Sequence, residues 1–291
     1  MINERMSGRR NLDGMATREP LPRIGIRAYG VAAIVLGVVG LVWGDFATNW
    51  QRVPPDVPFR EPLAYLTAIY EVAAGSAIQW RRTARIGALL LTILYAVFVL
   101  LWVIQVIRAP LVYDGWGNVF EELSLVIGGA AAFASLAPPD SRWAGRAGAI
   151  GRFLGVCAIS FGLEHALNFA AVATWVPRWI PPGQMFWSVA TAVFFFLAAA
   201  SLLSGIKSGL AATLLTAQIL GFEILVWIPK LIEAPHSHFV WSGNAIGIAI
   251  GTAAWVVADA LKEPQQSNAG LRASNKRVAA EGERLYEQTW R

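Results

Sequence analysis

Cysteine occurs once, at Cys157, inside an apolar run. One thiol cannot close an intrachain disulfide, and there is no CxxC pair for metal binding or thiol exchange. It reads as a small buried hydrophobe. Histidine is nearly as scarce: His165, His236 and His238 are the only three in 291 residues. A membrane cytochrome b needs paired histidines at mid-depth, and only His165 stands in such a place. No Walker sequence, no GxGxxG after a strand and no zinc signature occurs. Charge is the third scarcity. Asp, Glu, Lys and Arg make up 15% of the chain, against about 25% in ordinary soluble domains.

Apolar residues fill the space that charge leaves, at 56% of the chain, and they come in blocks. The stretch "IGALLLTILYAVFVLLWVIQVI" (86–107) carries no charge at all. About 18 or more such residues cross a hydrocarbon core of about 30 Å. Spans are expected at 28–46, 63–80, 86–107, 119–137, 153–173, 185–203, 209–228 and 243–261. Each has to be helical, because the bilayer core offers no water to an open backbone. The expected fold is an all-α integral membrane protein with the lipid bilayer as its partner. The first run follows a polar tail and has no small-x-small site behind it, so it is read as retained rather than as a signal peptide.

The sequence pI of about 9.7 does not point to nucleic acid, since the basic residues lie in tails and short loops between apolar runs. It records orientation instead. With the N-terminus cytoplasmic, 19 of the 24 Lys and Arg residues fall inside. Only Arg52, Arg60, Arg108, Arg178 and Lys230 fall outside. Both termini are therefore expected in the cytoplasm.

The chain also repeats itself. Shifted by about 125 residues, Arg27, Gly30, Ala33 and Gly37 fall on Arg152, Gly155, Ala158 and Gly162. Trp50 falls on Trp175, Ala109-Pro110 on Ala234-Pro235, and Trp116 on Trp241. Gly117-Asn118 meets Gly243-Asn244 with a slip of one. The first outer loop, "WQRVPPDVP" (50–58), has its copy in "WVPRWIPP" (175–182). Coincident Arg, Trp, Pro and Asn indicate a tandem duplication of a four-span unit. The expected division is a polar tail at 1–26, a module at 27–137, a linker at 138–151, a second module at 152–261 and a polar tail at 262–291. An even span number makes the two units parallel repeats about an axis along the membrane normal, as two four-helix bundles. The proline-rich loops read as Trp-anchored caps over each bundle, or as substrate-binding outer loops. The stretch "NKRVAAEGERLYEQTW" (275–290) reads as a short surface helix.

The segments "LGVVGLVWGDFATNWQRVP" (36–54) and "FGLEHALNFAAVATWVPRWIPP" (161–182), each placed in a four-span unit, resemble the DoxX-like family. The resemblance covers about 27–261 as two tandem modules and rests on glycine, aromatic and proline positions. It implies a multi-pass protein of the cell membrane, the inner membrane in bacteria. Family relatives include a small membrane subunit of thiosulfate:quinone oxidoreductase and proteins of thiol and oxidative-stress systems. The resemblance thus implies a quinone as cofactor and a redox enzyme subunit as partner. This chain has no cysteine pair with which to take part in thiol exchange directly.

Ionisable residues within the spans are few, and such residues mark functional sites by default. Glu71 lies in the second span. Glu164 and His165 lie in the fifth, with Asn168 one turn on, and Glu223 lies in the seventh. Glu164, His165 and Asn168 replace Val39, Gly40 and Trp43 of the first unit, so the duplication did not require them. Helical spacing places Glu164 and Asn168 on one face. Asn168 can donate to the Glu164 carboxylate, and His165 can pair with Glu164 or with an acid of another span, Glu71 first and Glu223 second. The same groups can equally serve as hydrogen bonds between helices. Asp45, Glu121 and Glu122 fall near outer span ends and read as interfacial. His236 and His238 read as solvated loop histidines, and no metal is expected. Three functions stay open: a quinone-linked or redox-associated subunit, a small-molecule carrier, and a non-catalytic assembly module.

Overall fold

The computed structural model describes residues 23–262, and the regular structure among them is helical. In chain order the helices are α1 (Ile24–Trp43), α2 (Arg60–Ile78), α3 (Ala84–Arg108) and α4 (Tyr113–Ser135). Then come α5 (Ala147–Leu167), α6 (Phe169–Trp175), α7 (Gln184–Ser204), α8 (Ser208–Glu233) and α9 (His238–Lys262). Among the described residues, six of these are long and apolar enough to cross a membrane: α1, α3, α5, α7, α8 and α9. The long helices α2 and α4 pack among them and carry buried acids, Glu71 in α2 and Glu122 in α4. The polar tails, with the stretch 275–290, lie outside the described residues.

Glycine and proline set the helix ends. Gly44 takes φ 62° beyond α1 and returns its N–H to the Gly40 carbonyl at 2.9 Å, a left-handed cap that a side chain would resist. Pro138 and Pro139 follow α4, and Pro181 and Pro182 precede α7, where a missing N–H does least harm. Short turns alternate the helix direction. The loops 44–59, 109–112, 176–183 and 234–237 therefore gather at one end of the bundle. The first of these is braced by an Arg60–Asp45 ion pair and by Trp102 Nε1, which donates to the Trp50 carbonyl at 2.6 Å.

Small residues bring the backbones together, as they do where lipid offers no hydrophobic drive between helices. A Cβ on Gly37 in α1 would stand 2.6 Å from the Ala68 carbonyl of α2, and one on Gly155 in α5 would stand 3.0 Å from the Ala199 carbonyl of α7. At the centre, a Cβ on Gly128 of α4 would stand 2.5 Å from that of Ala253 in α9. α9 also meets the start of α1, where the Gly25 N–H donates to Asp259 at 3.3 Å. Its apolar window is 78% buried inside the protein, whereas those of α3 and α8 are 33% buried. The outward stripe of α3, which includes Ile86, Ile93, Leu100 and Ile107, is exposed. A broad apolar exterior, with acids such as Glu71, Glu122 and Glu223 buried inside, belongs to a protein solvated by lipid.

Several boundaries depart from the apolar runs. α4 begins at Tyr113 and α9 at His238, each about a turn or more ahead of the expected spans. α5 turns at Phe153 and stops at Asn168, splitting the expected fifth span, and α6 continues from Phe169. α8 contains a π turn at Glu223–Trp227, closed by the Ile228 N–H on the Glu223 carbonyl. Pro229 explains it: without an N–H, and with its ring against the preceding turn, it cannot continue α-helical pairing.

Candidate functional site

Two of those irregularities, the Asn168 break and the π turn, face each other across the loop-rich end of the bundle. Between them lies a chamber of about 360 Å³, with an inward extension of about 140 Å³ that shares its walls. π turns inside α-helices often mark functional sites. This one presents Glu223 and Trp227, both buried, toward α9. Gly243 and Gly247, one turn apart on α9, make the room. A side chain at 243 would collide with the Trp227 ring, and one at 247 with the Glu223 carboxyl. Asn244, between them, donates from Nδ2 to Glu223 Oε2 at 3.2 Å.

The chamber wall holds Asp114 and Glu121 from α4, Glu164 and His165 from α5, and Asn168 from the break. Glu223 stands on the wall of the extension, which Glu121, Glu164 and His165 also line. Gly117 brings the α4 backbone up to the Glu164 carboxyl, which would lie 3.7 Å from a Cβ there. His165 Nδ1 is 2.9 Å from the Phe161 carbonyl. That contact requires the proton on Nδ1, and Nε2 is buried without a partner. The imidazole sits between the Phe195 and Phe222 rings, at centroid distances of 5.2 and 6.2 Å.

Tryptophan forms the mouth. Trp50 and Trp175, matching positions of the two proline-rich loops, both line the chamber and both meet Trp227 edge to face, at 6.2 and 5.3 Å. Phe239 stacks on Trp50 at 5.7 Å. Lys230, one turn beyond the π segment, sets its Nζ 3.3 Å from the Trp175 ring centroid.

Of the residues singled out in the sequence, Glu164, His165 and Asn168 share the chamber, and Glu223 lines its extension. Glu71 does not join them. It lies buried in α2, where Gln51 Nε2 donates to it at 2.7 Å and Gln51 Oε1 accepts from the Ala47 N–H at 3.1 Å. Glu71 thereby fixes the loop that carries Trp50, and it is not the partner of His165. Asn168 acts through its backbone, donating to the Glu164 carbonyl at 2.9 Å. Glu121 and Glu122 are not interfacial: Glu122 is 1% exposed and Glu121 stands on the chamber wall. The early start of α4 carries both acids well inside the helix. His238 is not a solvated loop residue either, since it opens α9 and stacks on Trp43 at 5.1 Å, whereas His236 is exposed. A larger cleft of about 540 Å³ lies between α7 and α8, walled mainly by apolar side chains such as Phe194, Leu197, Leu210 and Leu214. Its polar lining is Trp187, Thr191, Ser201, Lys207 and Gln218, with no acid or histidine among them.

Fold and site together define a helical, multi-pass membrane protein with a carboxyl-lined, aromatic-mouthed chamber at one end. No family profile matches the chain, and neither a curated protein nor a solved structure is found similar to it.

Proposed function

We propose that this chain is an eight-span membrane protein built from two parallel DoxX-like four-helix repeats, and that it binds a small molecule in the chamber where they meet, as a carrier does. The chamber carries the functional reading. It concentrates the acidic side chains at the α4–α5 junction and sets them behind the two matching loop tryptophans. Binding sites between parallel repeats are a general feature of carriers. The repeat reading is supported by matching contacts. Trp116 Nε1 donates to the Pro110 carbonyl at 3.1 Å, and Trp241 Nε1 to the Pro235 carbonyl at 2.8 Å. Gly128 and Ala253, 125 residues apart, abut each other, as matching positions do on a two-fold axis.

Gly117→Leu fills the chamber from its α4 wall and tests the binding role. Full-length wild type released from membranes is expected to retain a small molecule in native mass spectrometry, and Gly117→Leu to lose it. Equal retention by both, or none by wild type, would remove the carrier reading.

The same proposal sets both termini in the cytoplasm of a cell membrane, with the chamber opening outward, following the distribution of Lys and Arg. Replacing the buried Cys157 provides a background without thiols for single cysteines at Asp56 and Gly183. Both are expected to react with an impermeant maleimide added outside intact cells. Labelling confined to inverted vesicles would reverse the orientation.

A quinone-linked role with a redox enzyme partner is the second reading that the DoxX-like resemblance carries. One feature favours it: the His165 ring, held between the Phe195 and Phe222 rings on the chamber wall, offers flat aromatic surface to a planar quinone head. Co-purified quinone in the same mass spectrum would select it over the carrier.

A further inference from the structure

We infer that the chamber takes an organic cation, an ammonium, phosphonium or guanidinium group on an apolar body. The inference rests on the chamber reading above and adds the chemical class of the occupant. Charge is its first support. Asp114, Glu121 and Glu164 stand on the chamber wall and Glu223 on that of the extension, while no Lys or Arg lines either. An anion there would meet carboxyls on the walls, while the nearest ammonium, that of Lys230 at the mouth, is taken up by the Trp175 and Trp227 rings. A bound cation supplies the counter-charge that lets a wall carboxyl ionise, and no side chain of the walls provides one.

The spread of the acids is the second support. Among the described residues, no three of His, Cys, Asp and Glu converge closely enough to hold a metal ion. Carboxyls dispersed around a space of about 360 Å³ suit a cation of large radius rather than a bare ion. A volume in this range is that of a small-molecule pocket.

The aromatic mouth is the third. Trp50, Trp175 and Trp227 meet edge to face, so their faces turn in different directions, and the face of an indole attracts cations. An ammonium already uses two of these rings: Lys230 Nζ lies 3.3 Å from the Trp175 centroid and 5.1 Å from that of Trp227. The mouth thus displays, with a tethered group, the chemistry assigned to the free occupant.

Two ions of equal shape and opposite charge test this. Tetraphenylphosphonium and tetraphenylborate, with neutral tetraphenylmethane beside them, are offered by equilibrium dialysis to the full-length protein in nanodiscs, and binding to protein-free nanodiscs is subtracted. The phosphonium is expected to bind saturably and the other two not. Glu121→Gln with Glu164→Gln should weaken it at least about tenfold, equivalent to about 1.4 kcal/mol, with the melting temperature retained. Each single change is measured as well, so that a poorly folded double variant leaves two readings. Saturable borate or methane binding that the glutamine variants do not diminish overturns the cationic class while leaving the chamber in place. Phosphonium binding untouched by every variant places it elsewhere and overturns the inference. No saturable binding of any probe also overturns it, and the small molecule retained in native mass spectrometry then decides the chamber separately.

Discussion

Gly247→Leu is expected to unfold the chamber end of the protein, whereas Gly221→Leu, on the neighbouring helix, is expected to change little. A side chain at 247 collides with the Glu223 carboxyl, while a Cβ at 221 meets nothing within 4 Å. Overpacking of a filled interior costs about 1–3 kcal/mol, and leucine lies at the upper end of that range. Displacing Glu223 also breaks its bond from Asn244, leaving a buried carboxyl and amide short of partners, at about 1–3 kcal/mol more. At Gly221 the leucine enters open apolar space, and its higher helix propensity is worth up to about 1 kcal/mol in the favourable direction. Thermal unfolding in detergent, followed by tryptophan emission, measures both. Equal melting temperatures for the two variants would show that α8 and α9 do not interlock through Glu223 and Gly247.

That interlock shows where sequence reading succeeds and where it stops. Glu223 stood out because an acid within an apolar run is conspicuous. Its receiving glycines did not, since GxxxG-like spacing is common in membrane helices and says nothing about which helix fills the gap. The π turn had a signal in Pro229, whose effect on the preceding turn is general, but no signal told how the turn would be resolved. Glu121 was misplaced for a different reason. The segment "YDGWGN" (113–118) looks like a loop by composition, yet it is helical. Its helix is held by contacts that composition does not record. Tyr113 Oη donates to the Ser160 carbonyl at 2.6 Å, and Asn118 Nδ2 donates to the Asp114 carbonyl at 2.8 Å. α9 was shortened in the same way, its first turn being held by His238 on Trp43 and by Trp241 on the Pro235 carbonyl. The likeness of the two loops that carry Trp50 and Trp175 was legible in the sequence. The place of these tryptophans on a chamber wall was not, because an amphipathic ring suits the headgroup region and a polar cavity equally well.

Glu164→Gln and His165→Asn are expected to abolish retention of the chamber's small molecule while leaving the fold close to wild type. The reason lies in what each side chain holds. The Glu164 carboxyl lies against Gly117, and glutamine has the same size there. His165 donates one hydrogen bond, to the Phe161 carbonyl, so asparagine forfeits about 1 kcal/mol. Glu164 and the His165 ring line the chamber, where a loss is felt by an occupant and not by the helices. Glu71→Leu supplies the contrast. It strands Gln51, which bridges Glu71 and the Ala47 N–H beneath the Trp50 loop. It should lower the melting temperature by several degrees, as about 1–3 kcal/mol does. Ligand retention should then fall only as far as the loop loosens. Native mass spectrometry and thermal unfolding on the same preparations separate the two classes. If Glu164→Gln and His165→Asn melted early in proportion to the ligand they lost, the polar cluster of α5 would be a packing device and the chamber a by-product of it. Loss of the ligand at an unchanged melting temperature is the pattern that a binding site requires and that interhelical hydrogen bonding alone does not produce.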